Sequence, residues 1–168
     1  MAEPWTTAAH RLFKKHNIRT VGYVPDAGLT ELIKSCDADN DIKSVVMTTE
    51  EEGIGLSSGA WLGGEKAAVL MQSSGVGNTV NAIVSLLQLY NFPVIFLISY
   101  RGTPGEQVSA QGGMAKITKD VLDIIKIPTL HCSSENDLDK IKTYTDHAKI
   151  MESPIAILCD FELMKNDK

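Results

Sequence analysis

Val94-Ile-Phe-Leu-Ile98 is apolar at five consecutive positions. A strand with one wet face alternates apolar and polar side chains, so an unbroken run marks a strand covered on both faces, as in the middle of a parallel sheet. Around this strand, Val94–Ser99, other short β-rich runs lie at Thr20–Val24, Ser44–Thr48, Ala67–Gln72, Thr129–Cys132 and Ile155–Cys159. The stretches between them have helical length, and helices are expected over Pro4–Lys15, Gly28–Lys34, Glu50–Leu62, Gly77–Tyr90, Ala115–Ile125 and Glu135–Met151. Strands separated by helices imply crossovers that place helices on both faces of the sheet. The expected fold class is therefore α/β, doubly wound, with a six-stranded, mainly parallel sheet in one domain spanning residues 1–168.

With 43% hydrophobic and 22% charged residues over 168 positions, the composition is that of an ordinary globular chain. A chain of this length buries roughly 70% of the surface it exposes when unfolded, enough for a core without staples. The longest apolar run, Pro93–Ile98, falls far short of the roughly 20 residues that span a bilayer, so no membrane association is expected. The opening MAEPWTTAAH has neither a basic n-region nor an apolar h-region, and a cytoplasmic location follows as an expectation. Cys36, Cys132 and Cys159 are widely spaced and form no CxxC; neither a disulfide framework nor a metal site is readable. A net charge of −5 without a Lys/Arg cluster argues against a nucleic-acid surface, which needs a basic face.

Four segments fall where strands meet helices on the carboxyl side of the sheet, the edge at which ligands sit in open α/β folds. The first is Thr49-Glu-Glu-Glu-Gly-Ile-Gly-Leu-Ser-Ser-Gly59. Thr49 and Glu52 have capping-box spacing, and three carboxylates in the first turn complement the helix dipole. Gly53, Gly55 and Gly59 each cost about 1 kcal/mol relative to Ala in a helix, a cost that close approach of another backbone or a flat ligand would offset. Glu50 sits at the strand end, with its side chain available to a crevice.

The second segment, Gln72-Ser-Ser-Gly75-Val-Gly77-Asn78, is a glycine turn between strand and helix. It has Val80 where a dinucleotide fingerprint has its third glycine, and no following Lys. The third is Arg101, at the end of the central strand and beside the glycine-rich loop Tyr100–Met114, placed to hold a carboxylate, phosphonate or sulfonate; a surface ion pair is the equally weighted alternative. The fourth is Pro25-Asp26, for which a helix-capping turn is the simpler reading. His10, His16 and His147 are expected on solvated helix surfaces. His131 lies at a strand end with no partner visible in the sequence, and Ser73–Ser74 lack a GxSxG elbow, so a hydrolase is disfavoured.

Taken in order, Val24-Pro-Asp26, Glu50-Glu-Glu-Gly-Ile-Gly with Gly59 nine residues on, Met71-Gln-Ser-Ser-Gly-Val-Gly-Asn78 and Ile98-Ser-Tyr-Arg-Gly102 resemble the pyrimidine-binding domain of thiamine-diphosphate enzymes. Within that family the resemblance is strongest to the alpha subunits of 2-keto acid decarboxylases that act on sulfopyruvate, and next to those acting on phosphonopyruvate. It runs from about Val21 to Asp160. It implies that Glu50 hydrogen-bonds N1′ of the cofactor's aminopyrimidine, a proton-sharing role suited to a desolvated carboxylate. It also implies that Gly75, Gly77 and Asn78 lie at the cofactor, that Arg101, Gln111 and Pro25 meet the substrate, and that Asp26 handles protons. Gly112-Gly113 before Met114 departs from the alpha-subunit pattern.

The Gly-Asp-Gly…Asn motif that holds Mg²⁺ and the diphosphate in full-length members is absent from this sequence. The resemblance therefore implies a separate beta subunit carrying the diphosphate and Mg²⁺, with this chain binding the pyrimidine end of thiamine diphosphate and inactive alone. Self-association of the chain into a homo-oligomer is also expected. The implied reaction converts 3-sulfopyruvate to sulfoacetaldehyde and carbon dioxide. Two alternatives stand beside it: a phosphonopyruvate decarboxylase subunit, and a non-catalytic flavodoxin-like interaction module.

Overall fold

The structure, a computed structural model, describes residues 4–134 and 137–165. Its elements run α1 (Trp5–Lys15), β1 (Ile18–Tyr23), α2 (Thr30–Asp37), β2 (Lys43–Val46), α3 (Glu50–Leu62), β3 (Lys66–Gln72), α4 (Ser73–Ala82), β4 (Ile95–Tyr100), α5 (Gly112–Ile124), β5 (Thr129–Cys132), α6 (Leu138–Met151), β6 (Ile155–Asp160) and α7 (Phe161–Lys165). The six strands form one sheet in the order β2-β1-β3-β4-β6-β5. Every neighbouring pair is parallel, so the sheet is wholly rather than mainly parallel.

The apolar run Val94–Ile98 behaves as a doubly covered strand. Ile95 and Leu97 enter one core layer with Trp5, Leu32, Ile141 and Leu163, beneath α1, α2, α6 and α7. Phe96 and Ile98 enter the other with Ile54, Val76 and Leu122, beneath α3, α4 and α5. All four are at most 6% exposed. Alternation along the strand thus sends side chains into two different hydrophobic layers, and both faces must be apolar for the same reason.

Several boundaries differ from expectation. The second helix begins with a 3₁₀ turn, Ala27–Leu29, and continues to Asp37. The expected glycine turn after β3 is already helical: α4 starts at Ser73, so Gly75 and Gly77 lie within its first turns. The chain continues as a π-helical stretch over Ile83–Gln88, where Gln88 Nε2 donates to the Ile125 carbonyl across to α5. Helix α5 starts three residues early, at Gly112. The first two residues of the expected Glu135–Met151 helix lie outside the described residues. Among the described residues no helix is long and apolar enough to cross a membrane.

The order β2-β1-β3 places a switch point between β1 and β3, since the chain leaves β1 toward β2 and returns past it to β3. A crevice opens at such a point, outside the carboxyl ends of the strands. Asp26 follows β1, Glu50 follows β2, Ser73 follows β3 and Arg101 follows β4, so the fold gathers the sequence candidates along this edge.

Candidate functional site

Glu50 is the first residue of α3 and is only 6% exposed. Its side chain does not stand free in a crevice but folds against α4. Asn78 Nδ2 donates to Oε2 at 3.0 Å, while Oε1 lies over Gly75, close enough that a methyl group there would sit 2.5 Å from it. The carboxylate is thus held at one oxygen by a neutral amide and walled at the other by bare backbone. Any side chain at position 75 would have to share the carboxylate's space, which accounts for a glycine inside a helix despite its conformational cost. Gly77, one step further along α4, faces the Met114 methyl group of α5 at ordinary contact distance.

The expected Thr49–Glu52 capping box is not made. Thr49 is the N-cap but its hydroxyl caps nothing; Glu52 Oε2 reaches back one residue further and accepts from the Thr48 amide at 2.8 Å. The glycines of α3 also divide. Gly53 packs against Val69 and Met47, whereas among the described residues nothing beyond the helix's own nearby backbone approaches Gly55 or Gly59 within 4 Å of where a side chain would be.

A second group of charges lies at the ends of β1 and β4. Arg101, 14% exposed at its side chain, donates from Nε to Glu106 Oε2 at 2.6 Å, and its Nη1 stands 3.7 Å from Asp26 Oδ2. Asp26 also caps the 3₁₀ turn: Oδ1 accepts from the Gly28 amide at 2.9 Å. Asp26 therefore caps the turn through one oxygen and turns the other toward the Arg101 guanidinium. The Arg101 backbone is fixed by Ser73, whose fully buried hydroxyl accepts from the Arg101 amide and donates to the Ser99 carbonyl.

Pro25 is exposed beside Asp26. Gln111 ends a 3₁₀ turn, Ser109–Gln111, and its carbonyl closes over Gly102, so the loop returns to the position next to Arg101. Glu106 escaped the sequence reading although it supplies the shortest contact to Arg101. Its other oxygen accepts the Gln107 and Val108 amides. The guanidinium, with the Val108 and Gly102 amides, holds the Glu106 carboxyl down at about 2 against an ordinary 4.5.

Two histidines also depart from expectation. His131 has a partner after all: Nε2 lies 2.7 Å from Asp160 Oδ1, and the ring meets Tyr100 edge-on. This pairing depends on β6 lying between β4 and β5, which no local spacing reveals. His16 is largely covered rather than solvated, and its Nε2 has no hydrogen-bond partner; burial pushes its imidazole below the ordinary range. Among the described residues no three His, Cys, Asp or Glu side chains gather as a metal cluster.

Residues 6–124 match the family model described as thiamine pyrophosphate enzyme, N-terminal TPP binding domain, and that family is the class to which this chain belongs. A solved structure of 2-oxoglutarate:ferredoxin oxidoreductase from Magnetococcus marinus superposes with a TM-score of 0.71 over 96% of this chain and 29% of its own, at 13% identity, which establishes shared architecture. Within the class, the chain is 39% identical over 162 residues to the sulfopyruvate decarboxylase subunit alpha of Methanococcus maripaludis, covering 96% of this chain and 97% of that one. It is 36% identical to the Methanocaldococcus jannaschii subunit of the same name, covering 91% of each. Similarity to the phosphonopyruvate decarboxylase of Streptomyces viridochromogenes, at 37% identity, extends over 64% of this chain and 27% of that protein.

Proposed function

We propose that this chain is the alpha subunit of a thiamine-diphosphate-dependent decarboxylase that converts 3-sulfopyruvate to sulfoacetaldehyde and carbon dioxide. The observation that carries the reading is the buried Glu50 carboxylate at the carboxyl edge, held by Asn78 on one oxygen and lying over bare Gly75 backbone on the other. A flat heterocycle needs such a place: a carboxylate shielded from water and a neighbouring wall without side chains. The chain's residues fit the pyrimidine end of thiamine diphosphate in this respect, with Glu50, Gly75, Gly77 and Asn78 as the residues that hold it.

When bound, thiamine diphosphate supplies an electron sink for the pair left when the bond between the carboxyl and keto carbons breaks. Glu50 holds a proton against N1′ of the aminopyrimidine. Arg101 takes an acid group of the substrate, with Gln111 and Pro25 lining the approach to it. Asp26, whose Oδ2 faces the guanidinium, handles protons beside the substrate. In the net reaction one carbon–carbon bond breaks, carbon dioxide leaves, and a proton replaces it on the remaining carbon.

The diphosphate and Mg²⁺ belong in this reading to a separate beta subunit, an arrangement supported by relatives that are themselves named as alpha subunits over nearly their whole length. Residues 1–168 then act as one pyrimidine-binding domain, with further copies of the chain in the assembly. The sulfonate is favoured over the phosphonate because the alpha-subunit relatives match from end to end, whereas the phosphonopyruvate enzyme matches over about a quarter of its length.

The test is coexpression with the product of the neighbouring reading frame, followed by a carbon-dioxide release assay on 3-sulfopyruvate, phosphonopyruvate and pyruvate with added thiamine diphosphate and Mg²⁺. Preferential release from 3-sulfopyruvate is expected. A mixture that binds no cofactor and releases nothing from any acid would favour a docking module instead.

A further inference from the structure

The residue that most constrains Arg101 is Glu106. Its carboxylate sits 2.6 Å from Nε while Asp26 stands 3.7 Å from Nη1, and the two acid side chains are only 6% and 5% exposed. One positive and two negative groups in a largely desolvated place leave this trio with a net charge of −1. An incoming anion must therefore displace or share with a carboxylate that already occupies the guanidinium.

Glu106 is built to yield that place. Its Oε1 accepts the Gln107 and Val108 amides, so withdrawal of Oε2 from Arg101 leaves the carboxylate with partners rather than stranded. Gly102 and Gly105, both in the left-handed region at φ +80° and +99°, precede Glu106 in the loop, and the residues after it, from Gln107 to Ala110, are exposed. After the exchange Glu106 remains next to the newly bound acid group.

Resting on the decarboxylase reading above, we propose that Glu106 is a specificity-determining residue that favours a singly charged sulfonate over a doubly charged phosphonate at Arg101. A sulfonate carries one negative charge across the neutral range, whereas a phosphonate, like a phosphate monoester, loses a second proton near neutrality. That second charge meets the Glu106 and Asp26 carboxylates at close range under weak screening. A unit charge within several ångströms of another in a partly desolvated site changes relative binding by about tenfold. The 2-keto acid carboxylate is common to both substrates and does not discriminate between them.

The experiment compares kcat/KM for 3-sulfopyruvate and phosphonopyruvate in the reconstituted complex, as a function of pH, for wild type, Glu106→Gln and Glu106→Asp. In the wild type the sulfonate preference should grow between pH 6 and pH 8.5. Glu106→Gln should lower that preference about tenfold at pH 8 and flatten its pH dependence, and Glu106→Asp should restore part of both. An unchanged ratio and slope in Glu106→Gln overturns the proposal, since a structural role alone would lower both rates together.

A second measurement separates this outcome from failure of the decarboxylase reading. Methanesulfonate and methylphosphonate are titrated into the full chain and followed by ligand-observed NMR, with thermal unfolding verifying each variant's fold. Glu106→Gln should tighten methylphosphonate about tenfold more than methanesulfonate, and Arg101→Gln should abolish binding of both. Equal effects on the two anions, or binding that survives Arg101→Gln, refute the role of Glu106 even where decarboxylation succeeds. The expected pattern in a complex that releases no carbon dioxide would support the charge filter while removing the decarboxylase.

Discussion

A methyl group built on Gly75 falls 2.5 Å from Oε1 of Glu50, so the backbone of α4 and the carboxylate heading α3 adjoin with room for only a hydrogen between them. The consequence is a direct coupling between one backbone position and the orientation of the candidate cofactor-binding carboxylate. Gly75→Ala should destabilise the chain by about 1–3 kcal/mol through overpacking, despite the better helix propensity of alanine. It should also reduce turnover in the complex more than it reduces the folded fraction, because the carboxylate is what gives way. Thermal unfolding and carbon-dioxide release measured on the same preparation check this. Alanine at 75 with unchanged stability and turnover would show that the two groups can part without cost.

Glu50→Gln keeps the volume and can still pair its amide oxygen with Asn78 Nδ2, so the fold and assembly should survive. What it loses is the ability to share a proton in the role proposed for it, and turnover should fall by at least about a hundredfold, as expected when a positioned acid–base group is removed. Asn78→Ala removes the amide that holds Oε2; the carboxylate keeps its charge but not its aim, and a loss of about tenfold is expected. Single-turnover assays with saturating cofactor distinguish the two variants from simple weakening of cofactor affinity. Full turnover by Glu50→Gln would take Glu50 out of the mechanism.

The layered sheet was legible because both-sided burial leaves an unmistakable trace in composition: Ile95, Phe96, Leu97 and Ile98 serve two cores in turn. Helix α3 was also legible to its ends, since an acidic first turn opens it at Glu50 and Gly63-Gly64 close it. The start of α4 was not. Glycines at 75 and 77 read locally as a turn, and only the tertiary approach of Glu50 explains why a helix carries one there. Glu106 was invisible for a different reason: it pairs with Arg101 by a loop closing on itself, in a stretch with no periodicity to interpret. His131 and Asp160 are separated by a whole helix, and their 2.7 Å contact follows from strand order.

The three cysteines offer a test of core packing that is independent of catalysis. Cys36, Cys132 and Cys159 are all buried and free. Loss of solvation pushes the Cys36 and Cys132 thiols up to about 12, and Cys159 well above its ordinary range. The reactive species is the thiolate, so the native chain at pH 8 should resist a maleimide or disulfide reagent at all three positions, and all three should label in denaturant. Mass spectrometry after timed exposure measures this. Rapid modification of Cys132 in the native chain would mean that β5 opens readily at the sheet edge.

Glu106 should leave its signature in acid stability as well as in selectivity. Its carboxyl is held at about 2 when folded and ordinarily titrates at 4.5. A depressed folded value means that stability from the Arg101 pair is fully present above about pH 4.5 and drains away as pH falls toward about 2. Glu106→Gln removes that contribution, so the variant should be less stable than the wild type by about 1–3 kcal/mol at pH 7. The gap should narrow through pH 4 and 3. Asp137, also held below its usual range by Lys140 and the Ser133 and Ser134 groups, weakens both proteins alike in the same window and cancels in their difference. Urea midpoints at pH 7, 5, 4 and 3 measure the gap. If it stays constant across that range, the guanidinium contact at 2.6 Å contributes no net stability to the fold.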